Sequence, residues 1–284
     1  MKTIPKIITY FITASIALVV IACTPDPLPV KNIPTLTPHI VVSTQTVPDQ
    51  SIVVLLTKSV GALDAGKNSD LQTLLAQIVV SDALVTVEHD GELDTLTYLG
   101  NGLYGNADTP ILAGHNYKLN VNSPTVGVVT STTQAQATIN FETVSATLYE
   151  NEYDTLAVIN YSLKDPPGKN FYMVNVQQIS ATETLSSLLN PRLFTHVVSD
   201  EEFNEATFQE EFKVFFQHYS VNDTVAVSLT NISEDYYNYV QKRIDNRFSV
   251  ISFATEPFNY PTNVQGGYGF FNMQQPDVRL FVLK

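Results

Sequence analysis

The stretch "ALVTVEHDGELDTLTYLGNGLYGN", residues 83–106, decides the fold of this chain. Ala83, Val85 and Val87 are apolar at every second position, and the alternation resumes with Leu96 and Tyr98. A period of two is typical of a β-strand with one buried face. Between the two halves, Asp90-Gly91 suits the positive φ angles of a tight turn. The stretch therefore predicts a β-hairpin.

The same period continues further along the chain. "GHNYKLNV" at 114–121 and "QATINFETV" at 136–144 repeat the strand pattern after short turns. The helical exception is 69–78, where Leu71, Leu74 and Leu75 recur at helical spacing. Short strands at regular spacing predict a β-sandwich.

A second set of strands begins after about Leu148. Alternate apolar residues at 157–163 line one face of a strand that stops at "DPPG", residues 165–168, and 171–176 returns. We expect these two strands to form a hairpin across that turn. Residues 233–248 then change to a helical period, with Ser233 as the cap and acidic residues after it. This segment predicts a helix over the second sheet.

The predicted fold is mainly β, with two β-sandwich domains of immunoglobulin- or transthyretin-like type. Residues 39–148 are expected to form the N-terminal sandwich. Residues 149–284 are expected to form the C-terminal sandwich, with the added α-helix and a C-terminal loop.

The N-terminus has the pattern of a secretory signal peptide at 1–22. Lys2 and Lys6 precede an apolar run at 7–22 that is short for a membrane helix. Cys23 is the one cysteine in the sequence and follows "VIA", which resembles a bacterial lipobox. We expect acylation of Cys23, since acyl chains anchor a protein durably; the alternative is a secreted protein with an incidental thiol. The proline-rich segment 23–38 is then a stalk.

Composition excludes several function classes. The formal net charge is −13, and it becomes −15 without the two lysines of the signal peptide. Nucleic acid is therefore not expected as a partner, because phosphate binding needs clustered lysine and arginine. With a single cysteine, thiolate metal sites and disulfides are also excluded.

Several motifs together resemble the DUF4249 family, lipoproteins of Bacteroidetes. The lipobox and stalk are followed by "GNGLYGN", "AGHNYKLNV" and "LTNISEDYYNYV", and the chain closes with "FATEPFNYPTNVQGGYGFFNMQQ". The most specific piece is the last, in which Glu256-Pro257 precedes Asn263 and the glycines at 266, 267 and 269.

The resemblance implies an outer-membrane lipoprotein with no established activity, whose relatives are often found beside TonB-dependent transporters. It therefore implies an accessory role in uptake. The membrane face stays open, because Asp26 is the one acid close behind the anchor. Two other classes stay open: a hydrolase whose carboxylates meet only in three dimensions, and a structural adhesin-like module.

The C-terminal loop supplies the first candidate contact residues, Glu256, Asn263, Gly266 and Gly267. The glycines lack the lysine and spacing of a phosphate-binding loop, so a tight turn before the last strand is expected. Glu256 has no partner acid or base at fixed spacing, which favours backbone hydrogen bonding over general-base catalysis.

Three tyrosines of the predicted helix, Tyr236, Tyr237 and Tyr239, cannot all point one way. We expect at least one of them to offer a stacking or partner surface unless a neighbouring loop covers it. Thr95, Thr155 and Thr224 follow aspartate and precede an aliphatic residue, which resembles the O-glycosylation acceptor of Bacteroidetes. The alternative is a common strand-entry pattern.

No catalytic residue, cofactor or metal site is predicted. The five histidines are scattered without metal-ligand spacing. The acidic run 200–205 lacks the alternation of a calcium loop, so a solvated turn is expected.

Overall fold

The computed structural model describes residues 37–45, 52–59, 76–150, 154–179, 193–214, 218–246 and 259–284. The signal peptide, Cys23 and nearly all of the stalk lie outside these residues, as does Glu256. The predicted helix at 69–78 is described only at 76–78, which are helical. Within the described part of the chain, no helix is long and apolar enough to cross a membrane.

Strands dominate the described residues. The first eight are β1 Ile40–Gln45, β2 Ile52–Lys58, β3 Leu84–His89, β4 Glu92–Gly100, β5 Leu103–Asn106, β6 Asn116–Ser123, β7 Gly127–Gln134 and β8 Phe141–Glu150. The others are β9 Thr155–Lys164, β10 Phe171–Ile179, β11 Leu193–Ser199, β12 Thr207–Val214, β13 Thr224–Ile232, β14 Val264–Gln265, β15 Tyr268–Phe270 and β16 Asp277–Val282. A 3₁₀ turn spans Asp200–Glu202, and helix α1 spans Glu234–Asp245. The fold is mainly β, as predicted.

Nine strands form one sheet in the order β14-β7-β6-β3-β4-β5-β2-β1-β15. The predicted hairpin is confirmed, since β3 and β4 pair around Asp90 and Gly91, which both have positive φ. The first half of β4 pairs with β3 and its second half pairs with β5. The pairing with β5 contains a register shift between Tyr98 and Gly100. β4 therefore links the two layers that enclose the first core. That core draws on both layers, with Val42, Leu56, Val85, Tyr104, Leu119 and Val121 all buried.

Seven of the described strands form the second sandwich. One sheet has the order β11-β10-β13-β16 and the other β12-β9-β8. The division into four and three antiparallel strands is that of an immunoglobulin-like sandwich. Its core lies between the two sheets and includes Ile159, Tyr161, Leu163, Tyr172, Val174, Val227 and Leu229.

The hairpin expected between β9 and β10 is wrong. β9 pairs with β8 and β12, whereas β10 pairs with β11 and β13, so the chain crosses between sheets at 165–170. The crossing is fixed by Asp165, which is buried and accepts hydrogen bonds from the Tyr172 hydroxyl and from the Glu205 N–H. β9 and β10 bury their apolar faces against each other across the core. Two strands paired side by side in one hairpin could not face each other in this way.

Helix α1 begins where the sequence predicts. The Ser233 hydroxyl accepts a hydrogen bond from the Tyr236 N–H at 3.2 Å, and this caps the helix. The helix packs on the outer side of the four-stranded sheet, against Phe171, Met173, Val197 and Ile232. The expected helix over the second sheet is confirmed.

The order of the strands along the chain does not match their division between the two sandwiches. β8 belongs to the three-stranded sheet, although the predicted boundary at 148/149 assigns most of it to the first sandwich. β14 and β15 follow α1 but pair within the nine-stranded sheet, before β16 returns to the second sandwich. Residues 37–284 accordingly form one compact unit.

Candidate binding surface at the C-terminal loop

The C-terminal loop closes the nine-stranded sheet. β14 pairs with β7 at one edge of the sheet, and β15 pairs in parallel with β1 at the other edge. Only Gly266 and Gly267 separate the two short strands. This segment, residues 263–271, is called the seam below, because it joins two edges that would otherwise stay open.

The glycines of the seam are required by close backbone approach. A Cβ on Gly269 would overlap the carbonyl oxygen of Val42 in β1, and the φ of Gly269 is +94°. A Cβ on Gly267 would overlap the carbonyl oxygen of Ile40 and lie 2.8 Å from Val129 Cγ1. The glycines are therefore steric requirements of strand pairing. This agrees with the expected turn or bulge rather than a phosphate cradle.

Asn263 holds the two ends of the seam together. Its Oδ1 accepts a hydrogen bond from the Phe271 N–H at 2.9 Å, and its Nδ2 donates to the Phe271 carbonyl at 2.7 Å. The same Nδ2 donates to the Thr132 carbonyl of β7 at 3.1 Å, while the Ser131 hydroxyl donates to the Asn263 carbonyl at 2.9 Å. Its side-chain amide is thus engaged by the protein itself.

Two adjacent phenylalanines of the seam pack in two different cores. Phe271 is fully buried in the core of the nine-stranded sheet. Phe270 points the other way and packs against the helix, with its ring centroid 5.2 Å from those of both Tyr236 and Tyr239. Because successive side chains of a strand point to opposite sides, the seam contacts helix α1 through Phe270 and the core of the first sandwich through Phe271.

The three helix tyrosines are largely covered. Tyr236 and Tyr239 are buried, and burial raises the pKa of Tyr236 to about 12. Tyr237 is half-buried with its ring 4.9 Å from that of Phe171. All three tyrosines therefore make packing contacts within the protein. A partner-binding role for the half-buried Tyr237 stays a prediction.

Sequence reasoning missed the aromatic side chains that remain exposed within the seam and next to it. Tyr268 is 52% exposed with its ring 5.4 Å from that of the exposed His39, and Tyr260 is 37% exposed with its ring 6.4 Å from Tyr239. We call His39, Tyr260 and Tyr268 the aromatic rim; Tyr260 is linked to the strand of Tyr268 through Tyr239, whose ring packs on Phe270. The signal in the sequence was weak, because His39 lies more than 200 residues before Tyr260 and Tyr268 in the chain.

The candidate glycosylation sites differ in exposure. Thr95 lies on the exposed face of β4, whereas Thr155 and Thr224 are half-buried at the starts of β9 and β13. Glycosylation stays a prediction at all three. Thr95 offers the most accessible hydroxyl.

One polar cluster joins the two sheets of the second sandwich. Glu210 of β12 points inward, where it accepts hydrogen bonds from the Tyr161 hydroxyl at 2.8 Å and from His196 Nε2 of β11 at 3.0 Å. Burial raises the pKa of Glu210, but the hydrogen bond and charge of His196 and the hydrogen bond of Tyr161 lower it more, so the pKa falls below its usual range. A carboxylate held in its charged form suits a clamp between strands better than a general acid.

The acidic run at 200–205 also acts within the fold. Asp200 is buried and accepts a hydrogen bond from the Asn170 N–H at 2.6 Å. Among the described residues, no group of three histidine, cysteine, aspartate or glutamate side chains is placed to hold a metal ion.

Comparison with known families gives one match. The model of DUF4249, a domain of unknown function, matches residues 26–278. This range includes the seam, the helix and the aromatic rim. A comparison with curated proteins gives no match.

Proposed function

We propose that this chain, which belongs to the DUF4249 family, is a non-enzymatic lipoprotein of the cell envelope that binds a partner or ligand through its aromatic rim. The N-terminal pattern supports export and acylation of Cys23, which would tether the protein to the outer membrane. The association of similar proteins with TonB-dependent transporters supports such a transporter as the partner.

One observation carries the binding role: partly exposed aromatic side chains stand on a backbone that cannot move freely. Tyr268 lies in β15, which pairs with β1, and its neighbours Gly267 and Gly269 approach the β1 backbone so closely that an added Cβ would overlap a carbonyl oxygen. Tyrosine rings combine a large apolar surface with a polar hydroxyl and are enriched at protein interfaces. A fixed backbone lowers the entropy lost when such rings are buried by a partner.

The experiment is an affinity pull-down from detergent-solubilised outer membranes, with the protein expressed at its natural level and partners identified by mass spectrometry. We expect stoichiometric recovery of a transporter with the wild-type chain. The double variant Tyr260→Ala/Tyr268→Ala should lose that partner, whereas Tyr98→Ala should keep it. Tyr98 is a matched control, since it is 43% exposed on β4 and outside the rim. Recovery of the wild-type protein alone would contradict the proposal.

The anchor has its own test. Intact-mass measurement should show an acyl increment on the mature protein that disappears in Cys23→Ala. Equal masses, after allowance for the substituted atom, would show that Cys23 is not acylated.

A further inference from the structure

The outward face of the three-stranded sheet β12-β9-β8 carries a second recognisable surface, away from the aromatic rim. Cross-strand pairing places Thr143, Ser162 and Gln209 in one row across this face, and Ser145, Asn160 and Glu211 in the next. A third row contains Thr147, Val158 and Lys213, and Tyr149 follows on the same side of β8. The inward-facing residues of these strands fill the core.

The first two rows form a shallow trough of about 380 Å³. It is lined by Thr143, Ser145, Asn160 and Gln209, together with Val144 and Tyr161, whose side chains pack in the core. A volume of this size lies within the range of small-molecule sites, about 300–1,000 Å³. The lining differs from that of a typical drug-like site because hydroxyl and amide groups take the place of apolar side chains.

The chemistry of the lining selects a neutral ligand. Hydroxyl and amide groups both donate and accept hydrogen bonds, and none of the four lining side chains named above carries a charge. The carboxylate of Glu211, in the same row, accepts a hydrogen bond from Asn160 Nδ2, which orients the Asn160 amide on this face. Thr143 and Ser162 hydroxyls lie 2.6 Å apart, so one donates to the other and the row keeps a defined orientation.

An aromatic ring lies at one end of this face. Tyr149 is 39% exposed, and the Lys213 ammonium lies 4.0 Å from its ring centroid. Tyr149 follows Ser145 by four positions along β8, which corresponds to roughly 14 Å. This arrangement offers hydrogen-bonding groups to the hydroxyls of an extended ligand and an aromatic surface to its C–H groups.

We propose that the outward face of β12-β9-β8 binds a neutral oligosaccharide, with Asn160 and Gln209 as hydrogen-bonding residues and Tyr149 as the stacking residue. The inference does not depend on the transporter partner, because it concerns a different surface and binding is measured with the isolated protein.

The test uses the purified full-length protein in detergent and isothermal titration with linear neutral oligosaccharides of glucose, mannose, galactose and xylose. Polygalacturonate fragments serve as the anionic probe. We expect saturable binding of at least one neutral oligosaccharide, with affinity reduced at least tenfold in Asn160→Ala and in Gln209→Ala. Tyr149→Ala should weaken binding of longer oligosaccharides more than that of short ones.

The matched control is Asn122→Ala, an exposed asparagine on β6 of the other sandwich, which should bind as the wild type does. Ser145→Tyr fills the trough without removing a lining amide and should abolish binding. Circular dichroism and thermal unfolding confirm that each variant folds. Absence of saturable binding to every neutral sugar, preference for the anionic probe, or equal binding by Ser145→Tyr would each overturn the proposal.

Discussion

The two sandwiches protect their sheet edges by different means. In the first, β14 and β15 arrive from the far end of the chain and cover the edges at β7 and β1. In the second, β11 and β12 are edge strands of separate sheets among the described residues, and the side chains of His196 and Glu210 join them. Backbone closure leaves no room for a side chain at Gly267 or Gly269, whereas the contact between side chains in the second sandwich places a charge between its two sheets.

This difference predicts where each sandwich is sensitive. The seam should depend on steric fit and be insensitive to pH, because its contacts involve backbone and neutral amides. The clamp of the second sandwich should tolerate changes in volume and respond to protonation. Three experiments test this comparison, from the largest expected effect to the smallest.

Gly269→Ala should have the largest effect. The added methyl group would overlap the Val42 carbonyl, so β15 must leave β1 or both strands must shift. We expect a loss of roughly 3 kcal/mol or more in the free energy of unfolding, measured by urea denaturation. The control is Gly91→Ala, where φ is +83° but nothing lies within 4 Å of the new Cβ. It should cost only about 1–2 kcal/mol, from backbone strain. Equal losses would mean that close approach at the seam contributes nothing.

Asn263→Ala should have an intermediate effect. It removes three hydrogen bonds from the seam, to the Phe271 N–H, the Phe271 carbonyl and the Thr132 carbonyl. At about 0.5–1.5 kcal/mol for each bond, we expect a loss of roughly 2 kcal/mol, again by urea denaturation. Asn122→Ala, an exposed asparagine, should leave stability unchanged. If Asn263→Ala were also neutral, the side chain would become a ligand-contact candidate again.

Glu210→Gln should have the smallest effect, and one that depends on pH. The folded-state pKa of Glu210 is lowered, so its carboxylate stabilises the native state above the usual pKa near 4.5. That contribution is lost as the pH falls through the lowered pKa. Wild type should therefore exceed the variant by about 1 kcal/mol at pH 7 and lose this advantage below pH 4.5. Glu142→Gln, at an exposed position of β8, should show no such difference. An advantage that persisted unchanged at pH 3 would contradict the ionic clamp.

Local patterns predicted the parts of the fold that neighbouring residues decide. Asp90-Gly91 identified the β3-β4 hairpin, and Ser233 identified the start of helix α1. The pattern at 165–168 predicted a turn correctly but gave the wrong partner strands, because a turn signal does not specify which sheet the next strand joins. The buried carboxylate of Asp165 that supports the crossing has no local signature.

For the candidate site, too, local patterns identified residues but not their distant partners. The sequence alone drew attention to the seam through Asn263, Gly266 and Gly267, but it presented them as contact residues. Their partners in β1 and β7 lie more than 100 residues away, as in the Ser131–Asn263 bond across 132 residues. The aromatic rim was missed for the same reason, since His39 and Tyr268 meet only through the parallel pairing of β1 with β15.

The sequence by itself determined the mainly β character, the positions of turns and the capped helix, because alternation, positive-φ residues and capping act within a few residues. The tertiary structure alone decided that residues 263–271 close the first sandwich after the chain has built most of the second. This depends on the close approach of glycines to a distant strand and on Phe270 and Phe271 entering separate cores. Such contacts depend on shape and burial across the whole molecule, so no local sequence pattern predicts them.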